Sequence, residues 1–344
     1  MLSLKNFQSS IITSFLTTIH LLHLLFTTKP IPNLHFTFPD KMTTEINWPS
    51  YTKTWHRSSY PSISPSRPEL SLAGKSVIVT GGGTGIGAAI ALSAAQAGAS
   101  HLAIIGRRSA LLAQTAERIK AATNSNTHIL PVTADLTNKK DVDKALEFIQ
   151  TSFGAAPLDI LISNAGFFTG AREIGKESVE EWSTNLDVNI KAVVLVVSAF
   201  LPRAADHATI INISSGMAHL PAIPGASSYS VTKLAATKFI EYVAAAHPEK
   251  RVVNVHPGQV AETELAGKHF EAVGMKVEDN HIDDVQLAGN FAIWTASPEA
   301  AFVNGKFLWC NWDVDELKES KEEIQGSSIL TTNLEGWSSF KYHA

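Results

Sequence analysis

Residues 75–90 read KSVIVTGGGTGIGAAI. A short β-branched run ends at Thr80, five glycines crowd residues 81–87, and an alanine-rich stretch follows. The pattern predicts a strand, a tight turn and a helix, the opening of a βαβ unit. Glycines permit such a turn and let the backbone approach a pyrophosphate, which then rests on a helix N-terminus where free N–H groups and the helix dipole favour anions. A flexible turn would explain the glycines equally well if they stood alone. Their place between a first strand and a helix is what points to a dinucleotide. The spacing is T-G-x-x-x-G-x-G, carried by Thr80, Gly81, Gly85 and Gly87, because Ala88 stands where a G-x-G-x-x-G would need its third glycine.

Outward from this turn the alternation continues. HLAII (101–105) reads as a strand and ALLAQTAERIKAAT (110–123) as an amphipathic helix; HILPVTADL, the helix DVDKALEFIQTSF (141–153) and LDILISNAG follow. A helix through NLDVNIKAVVLVVSAFL, the strand TIINIS (209–214), a helix from Tyr229 to Ala246 and the strand RVVNVHPG complete the series. VIV, ILI and IINI are continuous apolar runs, as expected of strands buried on both faces. The expected fold is α/β: a single doubly wound (Rossmann) parallel sheet over 73–312, preceded by an irregular arm.

That arm covers 42–72, where prolines at 61, 65 and 68 bar a regular helix or central strand. Before it, 1–41 forms an apolar leader. Ile11 to Phe26 is too short and too interrupted by Thr, Ser and His to cross a bilayer unaided. It suits a signal peptide or weak anchor, or it is not translated at all, with Met42 as the start. Membrane association is expected only through this stretch, and otherwise a cytoplasmic protein. Residues 313–344 are expected to form a C-terminal helix and tail. Lys and Arg total 28 against 32 Asp and Glu, a net charge of −4 across 344 residues, which argues against a nucleic-acid partner. One cysteine, Cys310, excludes an intrachain disulfide and a cysteine-based zinc site, and no metal site is expected. Asn212-Ile-Ser214 is a glycosylation sequon, but it falls in an expected buried strand.

Two further patterns carry chemistry. The second strand ends in Gly106-Arg107-Arg108 with no acidic residue, and arginine accommodates the 2′-phosphate of NADP where a carboxylate would select NAD. A solvated arginine pair is the plain alternative. Tyr229 and Lys233 stand at i and i+4 on a helix and share a face, so the ammonium should favour the phenolate and make a general acid/base of the tyrosine. An exposed helical pair would show the same spacing. Ser214-Ser215, at the carboxyl edge of the preceding strand where ligands bind in such sheets, gives the pair its weight.

Taken in order over Lys75 to Val260, these motifs resemble the short-chain dehydrogenase/reductases. TGGGTGIG is similar to that family's cofactor loop, Asp135-Leu136 to its adenine contact, and Asn164-Ala-Gly166 to its N-A-G, with Ser163 in place of a first Asn. Asn189 in LDVNIKA, Ser215, Tyr229-x-x-x-Lys233 and Pro257-Gly258-x-Val260 match the remaining signatures. YPSISPSRPELSLAGK and FLWCNWDVDELKE are similar to a subgroup common in filamentous fungi.

The resemblance implies that Gly81, Gly85, Ile86, Gly87, Arg107, Asp135, Leu136, Asn164, Tyr229, Lys233, Val260 and Thr263 contact the cofactor. It assigns Tyr229 the proton transfer, Lys233 the lowering of the tyrosine pKa and the nicotinamide ribose, Ser215 the substrate oxygen, and Asn189 a water in a proton relay. The Ser215–Tyr229 interval is one residue longer than usual, so the loop between them must bulge. Glu262 occupies the usual threonine position, with Thr263 one later. Residues 262–284 are expected to form a substrate lid. Ala- and Val-rich helices at 187–201 and 226–246, with no wide polar side, are expected to pair in a homodimer or homotetramer. The implied activity is hydride transfer between NADP(H), rather than NAD, and a secondary alcohol or ketone. A non-catalytic dinucleotide sensor or scaffold, and a dehydration or epimerisation without net redox change, remain as alternatives.

Overall fold

Every strand of the sheet runs parallel to its neighbours, in the order β3-β2-β1-β4-β5-β6-β7. The computed structural model describes residues 50–123, 126–170, 172–222, 225–261, 263 and 282–334. The strands are β1 (Ser76–Thr80), β2 (His101–Gly106), β3 (His128–Thr133), β4 (Leu158–Ser163), β5 (Ala204–Ile213), β6 (Arg251–His256) and β7 (Phe307–Trp309). Between them lie α1 (Gly85–Gln96), α2 (Ser109–Ala122), α3 (Lys139–Ser152), α4 (Val179–Leu186), α5 (Ala192–Phe200), α6 (Ser227–Ala246) and α7 (Val285–Ala296), with α8 (Val314–Glu319) and α9 (Lys321–Gly326) after β7. The expected doubly wound parallel sheet is thus observed.

Burial explains which runs became central strands. Val77, Ile78 and Val79 in β1 are fully buried, as are Leu161 and Ile162 in β4 and Ile210 and Ile211 in β5. Helices cover both faces of an all-parallel sheet, so the middle of these strands is apolar on both sides, and a buried polar residue such as Asn212 needs a hydrogen-bond partner. Pro131, inside β3, lacks a ladder donor, and β3 lies at the sheet edge, where such a loss is tolerated. α1 is alanine-rich because α7 crosses it closely. A Cβ on Gly289 would stand 2.9 Å from the Ala89 carbonyl oxygen, and Ser93 donates to Asn290 at 2.7 Å across the same contact.

Sequence periodicity over 185–201 predicts one helix, but the chain forms α4, a π-helical turn (Asp187–Lys191) and α5. Val179–Arg203 is long and apolar enough by composition to cross a membrane. Its apolar side is occupied here by the core, where Val193, Val196, Val197 and Phe200 pack with Ile210 and Ile240.

Residues 50–72 of the arm are held against the C-terminal segment of the chain. It makes two 3-10 turns, Pro61–Ile63 and Pro68–Leu70, each with proline in its first turn. Ile63 and Leu70 are fully buried. Trp55 bridges Trp312, and the Arg67 guanidinium pairs with Glu299 at 2.7 Å. The leader and most of the expected lid lie outside the described residues.

The chain builds β2 and β3 on one side of β1 and then crosses to place β4 on its other side, so the strand order reverses between β1 and β4. Ligands bind in the crevice beyond the strand carboxyl ends at such a switch point. The glycine turn leaves β1 there and Asn164 leaves β4 beside it.

Candidate active site

The glycine turn is packed too tightly for side chains. Gly81 has φ +67°, and a Cβ on it would lie 2.9 Å from Asn164 Nδ2. A Cβ on Gly87 would lie 2.3 Å from the Gly81 carbonyl oxygen. Asn164 ties the two central strands together. Its Nδ2 donates to Thr80 O at 2.9 Å, while the Thr80 hydroxyl accepts from the backbone N–H of Asn164 and Ala165 at 2.9 and 3.0 Å. No side chain caps the first turn of α1, which leaves helix N–H groups for an anion above the turn. Thr263 reaches the same place, since a Cβ on Gly85 would meet its Cγ2 at 2.9 Å. Val260 is buried, and its carbonyl accepts from the Thr263 hydroxyl at 3.3 Å.

At the neighbouring carboxyl ends of β2 and β3, Arg107 and Arg108 are exposed, and Arg108 donates to the Thr84 hydroxyl at 3.4 Å. The Asp135 carboxylate is held below its ordinary range, first by the Thr137 N–H and hydroxyl, with Arg107 contributing at a distance. Leu136 beside it is buried. Ile86 is half-buried on the first turn of α1. The cradle therefore fits a dinucleotide phosphate: small where a backbone must approach, rich in N–H groups, and cationic beyond.

Across the crevice α6 carries Tyr229 and Lys233, both buried. Of the two serines at the end of β5, alternation sends them opposite ways. Ser214 bonds to Thr237 in the core at 2.7 Å, whereas the Ser215 hydroxyl acts on the Tyr229 phenol, favouring its charged form. Ser215 also accepts from Met217 N at 3.2 Å, and the chain enters a 3-10 turn at Gly216–Ala218 within the lengthened interval. Phe168 packs edge-on to Tyr229 at 5.3 Å between ring centres.

Burial dominates the electrostatics of Tyr229 and Lys233. Lys233 Nζ donates to the Ile213 carbonyl at 2.9 Å and lies 5.7 Å from the Tyr229 ring centre. Burial pushes the phenol up to about 12, with the Ser215 hydrogen bond pulling the other way. Burial also brings the ammonium down to about 8. Desolvation penalises both charged forms, and in this state it outweighs the attraction that a shared helix face suggests.

Asn189 sits in the π-helical turn, a distortion frequent at functional sites. Its Nδ2 donates to Phe167 O at 2.8 Å and to Thr232 Oγ1 at 3.1 Å, and its Oδ1 accepts from Phe167 N at 2.8 Å. Both amide hydrogens are thus committed to protein. The side chain fixes the strand-to-loop exit after β4 beside Lys233, and any water it orders must use its remaining acceptor capacity. A Cβ on Gly166 would lie 3.4 Å from Lys233 Nζ and 3.6 Å from Asn189 Oδ1, so this glycine keeps the two polar groups close. The sequon asparagine, Asn212, is buried and donates to Asn254 Oδ1 at 2.8 Å.

A sequence model described as short chain dehydrogenase matches residues 75–274. The chain belongs to the short chain dehydrogenase family. "Short chain dehydrogenase mpl6" of Monascus purpureus is 33% identical over 296 residues, covering 83% of this chain and 98% of its own. "Short chain dehydrogenase pigC" of Monascus ruber is 31% identical over 286 residues, covering 81% and 92%. These filamentous-fungal relatives agree with the similarity noted in the arm and tail. Among solved structures, a short chain dehydrogenase from Burkholderia cenocepacia in complex with NADP superposes with a TM-score of 0.61 at 26% identity, covering 71% of this chain and 99% of that one. A dehydrogenase/reductase from Sinorhizobium meliloti gives 0.61 at 28% identity, covering 73% and 97%. The fold is that of short chain dehydrogenases, a family of NAD(P)-binding oxidoreductases.

Proposed function

We propose that this short chain dehydrogenase reduces a ketone to a secondary alcohol with NADPH. The observation that carries the reading is the contact between Tyr229 and Ser215 at the carboxyl edge of the sheet, across the crevice from the glycine cradle. A bound nicotinamide supplies the hydride. The residues of the chain manage the oxygen and the proton. Ser215 donates a hydrogen bond to the carbonyl oxygen as negative charge develops on it. Tyr229, protonated because burial raises its pKa, gives its proton to that oxygen as the new C–H bond forms. One hydride and one proton convert the carbonyl to the alcohol. Lys233, fixed by the Ile213 carbonyl, presents its remaining N–H groups toward the crevice as the ribose anchor. Gly81, Gly85, Ile86, Gly87, Asn164, Val260 and Thr263 line the cofactor's path, with Asp135 and Leu136 at its adenine end. Incubation of the purified protein with NADPH and a ketone panel, followed by the absorbance of the reduced nicotinamide, tests this. Net consumption supports reduction; unchanged absorbance with substrate turnover would favour dehydration or epimerisation.

NADP selectivity is assigned to Arg107, with Arg108 adjacent, because the end of β2 offers cations and no carboxylate. Loss of a charge-assisted contact to the 2′-phosphate should raise the KM for NADPH about tenfold in Arg107→Ala while leaving that for NADH nearly unchanged. Equal KM shifts for both cofactors would contradict the assignment.

A second copy of the chain is the proposed occupant of the α6 surface. Val231, Leu234 and Tyr242 are 50%, 43% and 69% exposed and fall on one stripe of the helix. Light scattering should give a dimer or tetramer at micromolar concentration, and Leu234→Glu should lower the mass. A strict monomer in the wild type would refute this.

A further inference from the structure

Beyond the residues already placed, one buried side chain touches the backbone that carries Ser215. The parallel ladder between β5 and β6 ends with Ile213 opposite Val255, and Ser214 N donates to Val255 O at 2.8 Å. Past that point the chain leaves the sheet, yet Gly216 N is still held. It donates to His256 Nδ1 at 2.9 Å in a buried hydrogen bond. We propose that His256 is a positioning residue for Ser215, its imidazole fixing the Gly216 backbone and so aiming the adjacent hydroxyl at the substrate oxygen. The inference rests on the reading of Ser215 given above.

Three features suit the ring to this task. To accept at Nδ1, the imidazole must be neutral with its hydrogen on Nε2. Burial pushes its pKa down to about 3, with His219 contributing, so the acceptor persists throughout the neutral range. Trp309 packs edge-on against it at 4.3 Å between ring centres and is itself tied to His219, its Nε1 donating to His219 Nε2 at 3.0 Å. The same indole lies 2.9 Å from where a Gly216 Cβ would stand, so the 3-10 turn at Gly216–Ala218 closes directly onto this wall. This anchor holds the backbone next to Ser215, and the Met217 N–H bond to its hydroxyl then sets the side chain from that backbone. Small misplacements at a reacting centre are costly.

The test compares His256→Asn with His256→Gln. The asparagine oxygen falls near the position of Nδ1, whereas the glutamine oxygen falls near Nε2, so two similar polar side chains differ in whether they keep the acceptor. His256→Asn should retain kcat within about threefold and His256→Gln should lose about tenfold, with the KM for NADPH unchanged in both. In a Ser215→Ala background the difference between them should vanish, because no hydroxyl remains to be aimed. Hydrogen exchange at the Gly216 amide should be slow in the wild type and the Asn variant and faster in the Gln variant. Equal turnover of the two variants, a gap that survives in the Ser215→Ala background, or equal exchange at Gly216 would each overturn the proposal. If the wild type shows no Tyr229-dependent turnover, the oxidoreductase reading fails instead. The exchange comparison, which needs no turnover, still decides whether His256 holds Gly216.

Discussion

Tyr229→Phe is expected to lower ketone reduction by at least about 10³-fold while NADPH still binds. The variant removes one oxygen from a buried ring and leaves the packing against Phe168 in place, so folding should be little affected. What disappears is the phenol beside Ser215 that is proposed to deliver a proton to the substrate oxygen. The pH dependence follows from the same environment. Reduction needs the phenol protonated, and with its pKa near 12 it stays so through the neutral range. The Lys233 ammonium, near 8, loses its charge first. Both ionisations act in one direction: the reduction rate should fall as pH rises through about 8 and fall again on approach to 12. Alcohol oxidation requires the deprotonated phenol and should gain with pH instead. Steady-state profiles in both directions check this, and in Lys233→Met the step near 8 should be absent. Retained turnover in Tyr229→Phe would remove this residue from the chemistry.

Gly87→Ala should severely weaken cofactor binding. The added methyl would stand 2.3 Å from the Gly81 carbonyl oxygen and 2.5 Å from Asn164 Nδ2, neither of which can yield cheaply. One is backbone in a turn whose Gly81 N–H is bonded to Ile105 O at 2.7 Å, and the other is tied to Thr80. Relieving the clash must open the turn or break the β1–β4 connection, and overpacking of this kind costs about 1–3 kcal/mol of stability. Fluorescence titration with NADPH should show at least about a hundredfold weaker affinity, equivalent to about 2.7 kcal/mol. A lower Tm should accompany it. Gly326→Ala, with nothing within 4 Å of its added methyl, should change neither. Wild-type affinity in Gly87→Ala would mean that the pyrophosphate does not depend on this turn.

The parts of the fold legible in the sequence were those in which local pattern and burial agree. VIV, ILI and IINI could be read as central strands because burial on both faces leaves an uninterrupted apolar run, and the glycine turn announces its own geometry. β7 escaped notice: three residues, 307–309, define a strand only through pairing with β6. The α1–α7 crossing likewise depends on Gly289 meeting Ala89 across about two hundred residues of chain, a contact no local window contains. The π-helical turn at Asn189 was hidden because its cause is tertiary, the grip of the carboxamide on the Phe167 backbone.

At the site, helical spacing placed Tyr229 and Lys233 on a common face but said nothing of the Ile213 carbonyl that takes the ammonium, nor of the desolvation that raises the phenol. Ser215 was preferred over Ser214 from the sequence, and the bond of Ser214 to Thr237 in the core agrees with that preference. His256 carried a faint signal, a histidine directly before Pro257-Gly258 at a strand end, but only coordinates reveal that its ring reaches Gly216.

The most direct test of the central claim follows a single deuterium. NADPH labelled at the transferable position of nicotinamide C4 is mixed with the enzyme and a ketone that it consumes, and the product is examined by mass spectrometry. One deuterium should appear on the carbinol carbon for each NADP formed, with no transfer in Tyr229→Phe. Product formed while the label and the reducing equivalents stay with the cofactor would contradict it.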